Sequence, residues 1–341
     1  MKLGITLPYA EGAMSRDEIE EFVQRADELG YHSLWVPEAW TFDAFMMLVS
    51  CIPHSQQLQL ATGIVNVYSR TPSLIGQSIA TLDSLADGRA ILGLGASGPQ
   101  VIQGWHGMTY DQPLQRTRET VEIVRTILRR DKLQYEGEIF NLPMGLKLIN
   151  HPLRPAVPIV VASMGPKNVA MTAEVADGWM PMLFSPTRAE DVWGGALAEG
   201  RAKRSEELGD LDVMPALSVA VVESDQDRSV ATHIARAGLA LYVGGMGSRK
   251  RNFYNDLVCR YGFEAEAKEI QDLYLSGQQP EAMGKVTDEM LREFAVIGTA
   301  DEVRDRLSAY DEAGVTTGVV QLLAGDHASR LRMLEQLAEL V

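Results

Sequence analysis

Residues Leu92–Gly107 read LGLGASGPQVIQGWHG, and from Gly93 they spell G-L-G-A-S-G. This is a formal match to the G-x-G-x-x-G turn that lets backbone amides close on a dinucleotide pyrophosphate. That fingerprint belongs to a first βα turn, with its third glycine inside a helix and an acid ending the next strand about 20 residues on. Here three apolar strand candidates precede the glycines, Pro99 follows Gly98 directly, and the acids at the right distance, Glu119 and Glu122, sit on an amphipathic helix pattern. The stretch therefore reads as a loop at the C-terminal end of a fourth strand, where the active sites of α/β barrels lie.

Outward from this stretch the chain repeats one unit. KLGITLP is a short apolar strand, and Ser15 with Glu18 forms a capping box ahead of Ile19, Phe22, Val23, Ala26 and Leu29, spaced as one helical face and stopped by Gly30. SLWVPE (33–38) is the second strand, with a helix from about Asp43. LQLATGIV (58–65) is the third, and Pro72 opens a helix along Ile75, Ile79, Leu82 and Ala86. RAILGLG (89–95), PIVVAS (158–163), GWMPML (178–183), a seventh strand within 213–222 and TGVVQL (317–322) complete eight. Residues 131–157, broken by Gly137, Pro143, Gly145, Pro152 and Pro155, read as an irregular excursion, and 225–296 as a helical insertion. Thr299 with Glu302 caps the helix before the last strand. Eight strands each followed by a helix, with no low-complexity linker, predict an α/β fold: one (β/α)8 TIM barrel domain over 1–341 with two insertions.

Composition excludes several partners. A net charge of −15 opposes both a nucleic-acid backbone, which needs clustered Lys and Arg, and an anionic membrane. Cys51 and Cys259 alone are too few for a disulfide scaffold, and both lie in apolar surroundings that predict buried thiols. MKLGITLP lacks the basic and extended apolar regions of a signal peptide, and VMPALSVAVV from Val213 has about half the length of a membrane span, so a cytoplasmic location is expected. No metal site is expected.

Four barrel-top loops carry candidate chemistry. Gly95 and Gly98, flanking Ala96 and Ser97, either admit a flat ring or a phosphate to the backbone or make a tight turn needing positive φ. ASMGPKNVAMTAE (162–174) starts a helix whose free N–H groups, with Lys167, form an anion site or simply a well-capped helix. ATGIVNVYSRTP (61–72) offers Asn66 and Tyr68, with Arg70 either functional or a solvated charge. In WVPEAW, Glu38 lies between Trp35 and Trp40, where partial desolvation suits a general acid, although the carboxylate would serve equally to hold an Arg or an amide. His106, in GWHG, is the second acid–base candidate. GGMGSRKRNF (244–253) concentrates positive charge, toward an anionic ligand or as a solvated helix start.

TGIVNVYSRTP, GLGASGPQVIQGWHG followed by PLQRTRE, GPKNVAMTAEVADGW and YVGGMGSRKRNFY, in that order over nearly the full chain, resemble the luciferase-like oxidoreductases that use the deazaflavin coenzyme F420. The resemblance implies a barrel with an insertion after strand seven, a homodimer, and a coenzyme ring in the barrel mouth. It implies a non-proline cis peptide at Gly63–Ile64 backing the ring, with Asn66 nearby. It places Ala96, Ser97, Gly98, Gln100, Met164, Gly165, Pro166 and Lys167 against the ring or the phosphate-bearing side chain. Hydride transfer between the deazaflavin C5 and a small, apolar, partly planar substrate is expected, in a pocket of Trp40, Tyr68 and Trp105, with Glu38 the leading proton donor or ring-edge partner and His106 the second candidate. Two departures matter. Several dehydrogenase members carry an Asp-His pair where this chain has Glu38-Ala39, and a Glu where it has Ala96, so their sugar-phosphate and alcohol chemistry does not transfer. An FMN-dependent monooxygenase of the same barrel and a non-catalytic flavin-binding barrel are the alternatives.

Overall fold

The computed structural model describes residues 1–8 and 14–340. Its barrel strands are β1 (Lys2–Thr6), β2 (Ser33–Val36), β3 (Gln59–Thr62), β4 (Ala90–Gly95), β5 (Ile159–Ala162), β6 (Gly178–Met180), β7 (Ala216–Val221) and β8 (Thr317–Leu322). They pair in parallel in the order β6-β5-β4-β3-β2-β1-β8-β7. The ring closes through the short strand Asp212–Val213, which immediately precedes β7 and pairs with β6. The expected (β/α)8 barrel is therefore present, with helices on its outside.

Alternation along the strands sorts side chains into two cores. Trp35, Ala61, Ile91, Val160, Met180 and Val319 point inward and fill the barrel. Trp35 is the bulkiest of them, its Nε1 donating to Ser33 Oγ at 2.8 Å. Gly4 makes room for it, because a Cβ there would lie 2.5 Å from Ser33 Oγ and 3.0 Å from Trp35 Nε1. Outward-facing Ile5, Leu34, Leu60 and Leu92 pack against helical Phe22, Ile75 and Val124, all fully buried. Each such side chain contributes about 1.5–3 kcal/mol by leaving water. Capping boxes at Ser15–Glu18 and Thr299–Glu302 start helices Arg16–Glu28 and Ala300–Glu312, as their sequences predict.

Three expectations need correction. The excursion is not irregular: Leu133–Glu136 and Asn141–Leu146 form an antiparallel hairpin. Its turn is built on buried Glu119, whose carboxylate accepts from the N–H groups of Glu138 (2.8 Å), Ile139 (3.2 Å) and Phe140 (2.9 Å). The helical insertion does end near its expected limit, but Ala295–Gly298 is a strand, parallel to Ser218–Val221 of β7. Cys51 is buried, which pushes its thiol up to about 11, whereas Cys259 is only half-buried. Among the described residues no helix is long and apolar enough to cross a membrane, and no cluster of metal-ligating side chains forms.

Candidate active site at the barrel mouth

Strand β3 breaks its pairing with β4 after Ala61↔Ile91, and the side chain of Thr62 takes over. Its Oγ1 accepts from Gly93 N–H and donates to Gly93 O, each at 2.8 Å. The next peptide, Gly63–Ile64, is cis, where the family resemblance places it. Val65–Asn66 then pair with Leu94–Gly95. This detour leaves no room on two of the glycines in the opening stretch. A Cβ on Gly93 would overlap the Thr62 carbonyl, and one on Gly95 would press on Ile64 Cδ1 at 3.0 Å. Gly98 differs. A Cβ there meets nothing closer than 3.6 Å, and the left-handed conformation belongs instead to Ser97, at φ +56°. A turn requirement therefore does not account for Gly98, and a side-chain-free ledge remains next to buried Ala96.

Glu38 and Arg70 meet across the mouth. Arg70 Nη1 and Nη2 both donate to the Glu38 carboxylate, the latter at 2.9 Å, and Nη2 also reaches Asp43 at 2.6 Å. The N–H of Ala44, at the start of helix Ala44–Cys51, donates to Glu38 Oε2 at 2.9 Å. Both oxygens accept, in a side chain only 7% exposed. Glu38 thus holds an Arg and an amide, the second of the two roles its sequence setting allows, which favours an anchor over a free proton donor.

Asn66 is buried, and its Oδ1 accepts from the N–H groups of Tyr68 (3.0 Å) and Ser69 (2.7 Å). Those two donors fix the amide, so Nδ2 faces His106 Nε2 at 3.3 Å. Nδ2 can only donate. The Nε2 of His106 is accordingly the acceptor, and the proton of the neutral ring sits on Nδ1. Asn66 acts through this network, not as a free ligand group.

At the end of β5, Ser163 Oγ bonds Thr172 Oγ1 at 2.9 Å, and the Met164 carbonyl accepts from Trp193 Nε1 (3.0 Å) and Arg260 Nη2 (2.8 Å). These contacts pin the loop that leads into helix Pro166–Val175. Gly165 is its N-cap with no side-chain cap, Pro166 opens it, and Gly165, Pro166 and Lys167 are exposed. The N–H groups of Lys167 and Asn168 have no intrahelical acceptor. Asn168 Oδ1 is buried without a partner.

Two other site residues are used within the protein. With donors meeting acceptors, Gln100 donates from Nε2 to the Met246 carbonyl (3.3 Å) and accepts at Oε1 from the N–H groups of Gly247 (2.9 Å) and Ser248 (3.1 Å). Its amide is engaged by the insertion. Tyr68, expected in the substrate pocket, is buried under Tyr110 and donates its hydroxyl to Asp111 O at 2.7 Å. Burial pushes that phenol well above its ordinary range. Trp40 and Trp105 do stand free, 51% and 65% exposed. Of the basic stretch 244–253, Arg249 pairs with Asp272 and Arg251 lies over the rings of Tyr110 and Phe253. Tyr110 escaped the sequence reading because it lies in a loop with no motif or period.

Comparison with known proteins bears on the same regions. The family model for luciferase-like monooxygenases matches residues 1–317. A Mycobacterium tuberculosis protein, provisionally named a coenzyme F420-dependent oxidoreductase, is 37% identical over 94% of this chain and 94% of its own. The 5,10-methylenetetrahydromethanopterin reductase of Archaeoglobus fulgidus is 30% identical over 90% and 89% of the two chains. The solved structure of the coenzyme F420-dependent tetrahydromethanopterin reductase from Methanopyrus kandleri superposes with a TM-score of 0.82 over 100% of this chain and 98% of that one, at 22% identity. The family-model match over most of the length, with relatives at 30–37% identity, makes this chain a member of the luciferase-like monooxygenase family.

Proposed function

We propose that this enzyme is a coenzyme F420-dependent oxidoreductase that moves a hydride between the deazaflavin C5 and a small organic substrate with an apolar, planar part. The observation that supports it most is the ledge at Gly98, open where its neighbours Gly93 and Gly95 are filled. The uncapped start of helix Pro166–Val175, with its free N–H groups and Lys167 beside it, suits the phosphate of the coenzyme side chain. The residues present therefore match what such a coenzyme needs, and the names of the relatives agree with that assignment.

When bound, the deazaflavin supplies the hydride donor or acceptor. The chain supplies the rest. Ala96, Ser97, Gly98, Met164, Gly165, Pro166 and Lys167 would hold the coenzyme, with Gly63–Ile64 beside them at the mouth. Exposed Trp40 and Trp105 offer apolar faces that hold a planar substrate and shed water. His106, with Nε2 tied to Asn66, presents Nδ1 as the proton-bearing atom, and Glu38 fixes Arg70 at the rim.

Titration of the purified protein with oxidised F420 and with FMN tests the proposal. F420 binds with micromolar or tighter affinity and FMN at least tenfold more weakly, a gap of about 1.4 kcal/mol. The reverse ranking replaces it with the FMN monooxygenase, and binding without turnover with the non-catalytic barrel.

A further inference from the structure

We infer that Arg251 and Tyr110 are positioning residues for the loop after β4, joined in one stack that ties the insertion to the coenzyme ledge; the inference rests on the function proposed above. Arg116 lies with its Cζ 5.4 Å from the ring centre of Phe140 and 4.8 Å from that of Tyr68. Tyr68 stacks on Tyr110 at 5.4 Å and 28°. Arg251 also meets Tyr110, its Cζ 5.0 Å from the centre of that ring and 5.5 Å from that of Phe253. The column passes through the hairpin, helix Pro113–Leu128, the loops after β3 and β4, and the insertion.

Tyr110 is the point where the column meets the site. Tyr110 is 8% exposed, its ring touched by both Tyr68 and Arg251, and its hydroxyl donates to Ser97 O at 3.2 Å. Ser97 is the left-handed residue of the ledge, a conformation a serine keeps only when its surroundings hold it. Arg251 thus acts on Ser97 through Tyr110. Among the described residues no carboxylate pairs with Arg251, in a chain of net charge −15, so the rings are its partners. The Gln100 amide clips the same turn of the insertion, at Met246–Ser248, from the ledge side.

Four variants and two readouts test this: Arg251→Ala, Arg251→Lys, Tyr110→Phe and the double Arg251→Ala/Tyr110→Phe, scored by F420 dissociation constant and by amide hydrogen exchange at Gly247 and Ser248. Arg251→Ala and Tyr110→Phe each weaken F420 about fivefold. The double variant loses no more than either single, because both act through one bond to Ser97. Arg251→Lys, which keeps a cation over the ring, returns to within about twofold. Exchange at 247 and 248 quickens in Arg251→Ala without any coenzyme. Wild-type affinity in Arg251→Ala, or losses that multiply in the double variant, overturns the inference, and so does quickened exchange with unchanged affinity. Should the wild type not bind F420, the proposed function falls, and the stack is then judged by exchange alone, where unchanged rates reject it.

Discussion

Arg70 grips the Glu38 carboxylate with both terminal nitrogens while one of them also reaches Asp43, at 2.6 Å. This triangle sits at the barrel rim where sequence alone suggests a general acid, and its geometry makes Glu38 an anchor. Glu38→Gln should cost about 1–3 kcal/mol of stability, because it leaves the guanidinium half-satisfied. It should also keep the limb of the pH–rate profile that falls with rising pH, the limb a general acid produces. Loss of that limb would return Glu38 to the proton-donor role.

The ledge and the strand glycine offer a paired test. Gly98→Val should weaken F420 at least tenfold, about 1.4 kcal/mol, with a thermal midpoint lower by only about 1–2 °C per kcal/mol for a chain of this size. Gly93→Val, whose Cβ would overlap the Thr62 carbonyl, should fail to fold or melt far earlier. Normal coenzyme binding by a folded Gly98→Val protein would show that the loop serves the chain alone.

His106→Gln keeps an acceptor opposite Asn66 Nδ2 and removes the ring proton. A fall in kcat of at least tenfold with less than a twofold change in F420 affinity is expected. An unchanged kcat assigns His106 to the scaffold.

Glu119 ties stability to pH. Burial pushes its carboxyl up, but Gln115 and the N–H groups of residues 138–140 outweigh that and hold it below the ordinary carboxylate range. A lowered pKa in the folded state contributes stability that is complete above the unfolded value, about 4.3, and is lost as pH falls through the folded one. Urea midpoints measured from about pH 6 down to pH 3 should therefore fall more steeply in the wild type than in Glu119→Gln. At pH 7 the variant should be weaker by about 1–3 kcal/mol, since one of the two oxygens that accept from residues 138–140 becomes an NH2 group facing N–H donors. Parallel curves would separate the hairpin from this carboxylate.

The barrel strands could be read from sequence because buried parallel strands are short apolar runs with punctuation: Gly30 and Pro72 around the early units, capping boxes at Ser15 and Thr299. Ala295–Gly298 was hidden for the opposite reason. It follows helical Phe294 with no breaker between, and an apolar run there suits either state. Pro143 and Gly145 masked the hairpin, although a two-stranded ribbon tolerates a proline on its free edge. In the site, the Gly98 loop and the start at Gly165–Pro166 are local motifs and were visible as such. The pairs Glu38–Arg70 and Asn66–His106 span 32 and 40 residues, a distance over which periodicity says nothing. The contacts of Tyr110 with Tyr68 and with Arg251 follow only once their loops share one end of the barrel.

The insertion leaves the barrel at Val222 and returns at Gly298, and the N–H of Val222 donates to the Gly298 carbonyl at 2.9 Å. Exit and re-entry are thus adjacent, so the segment between them is a graft with its two ends sewn together. Lengthening or replacing such a graft costs little chain entropy, about 0.6 kcal/mol for each doubling, and leaves the register of β7 untouched. The insertion can therefore change length without disturbing the barrel strands, provided residues 246–251, which meet the loop after β4, are kept.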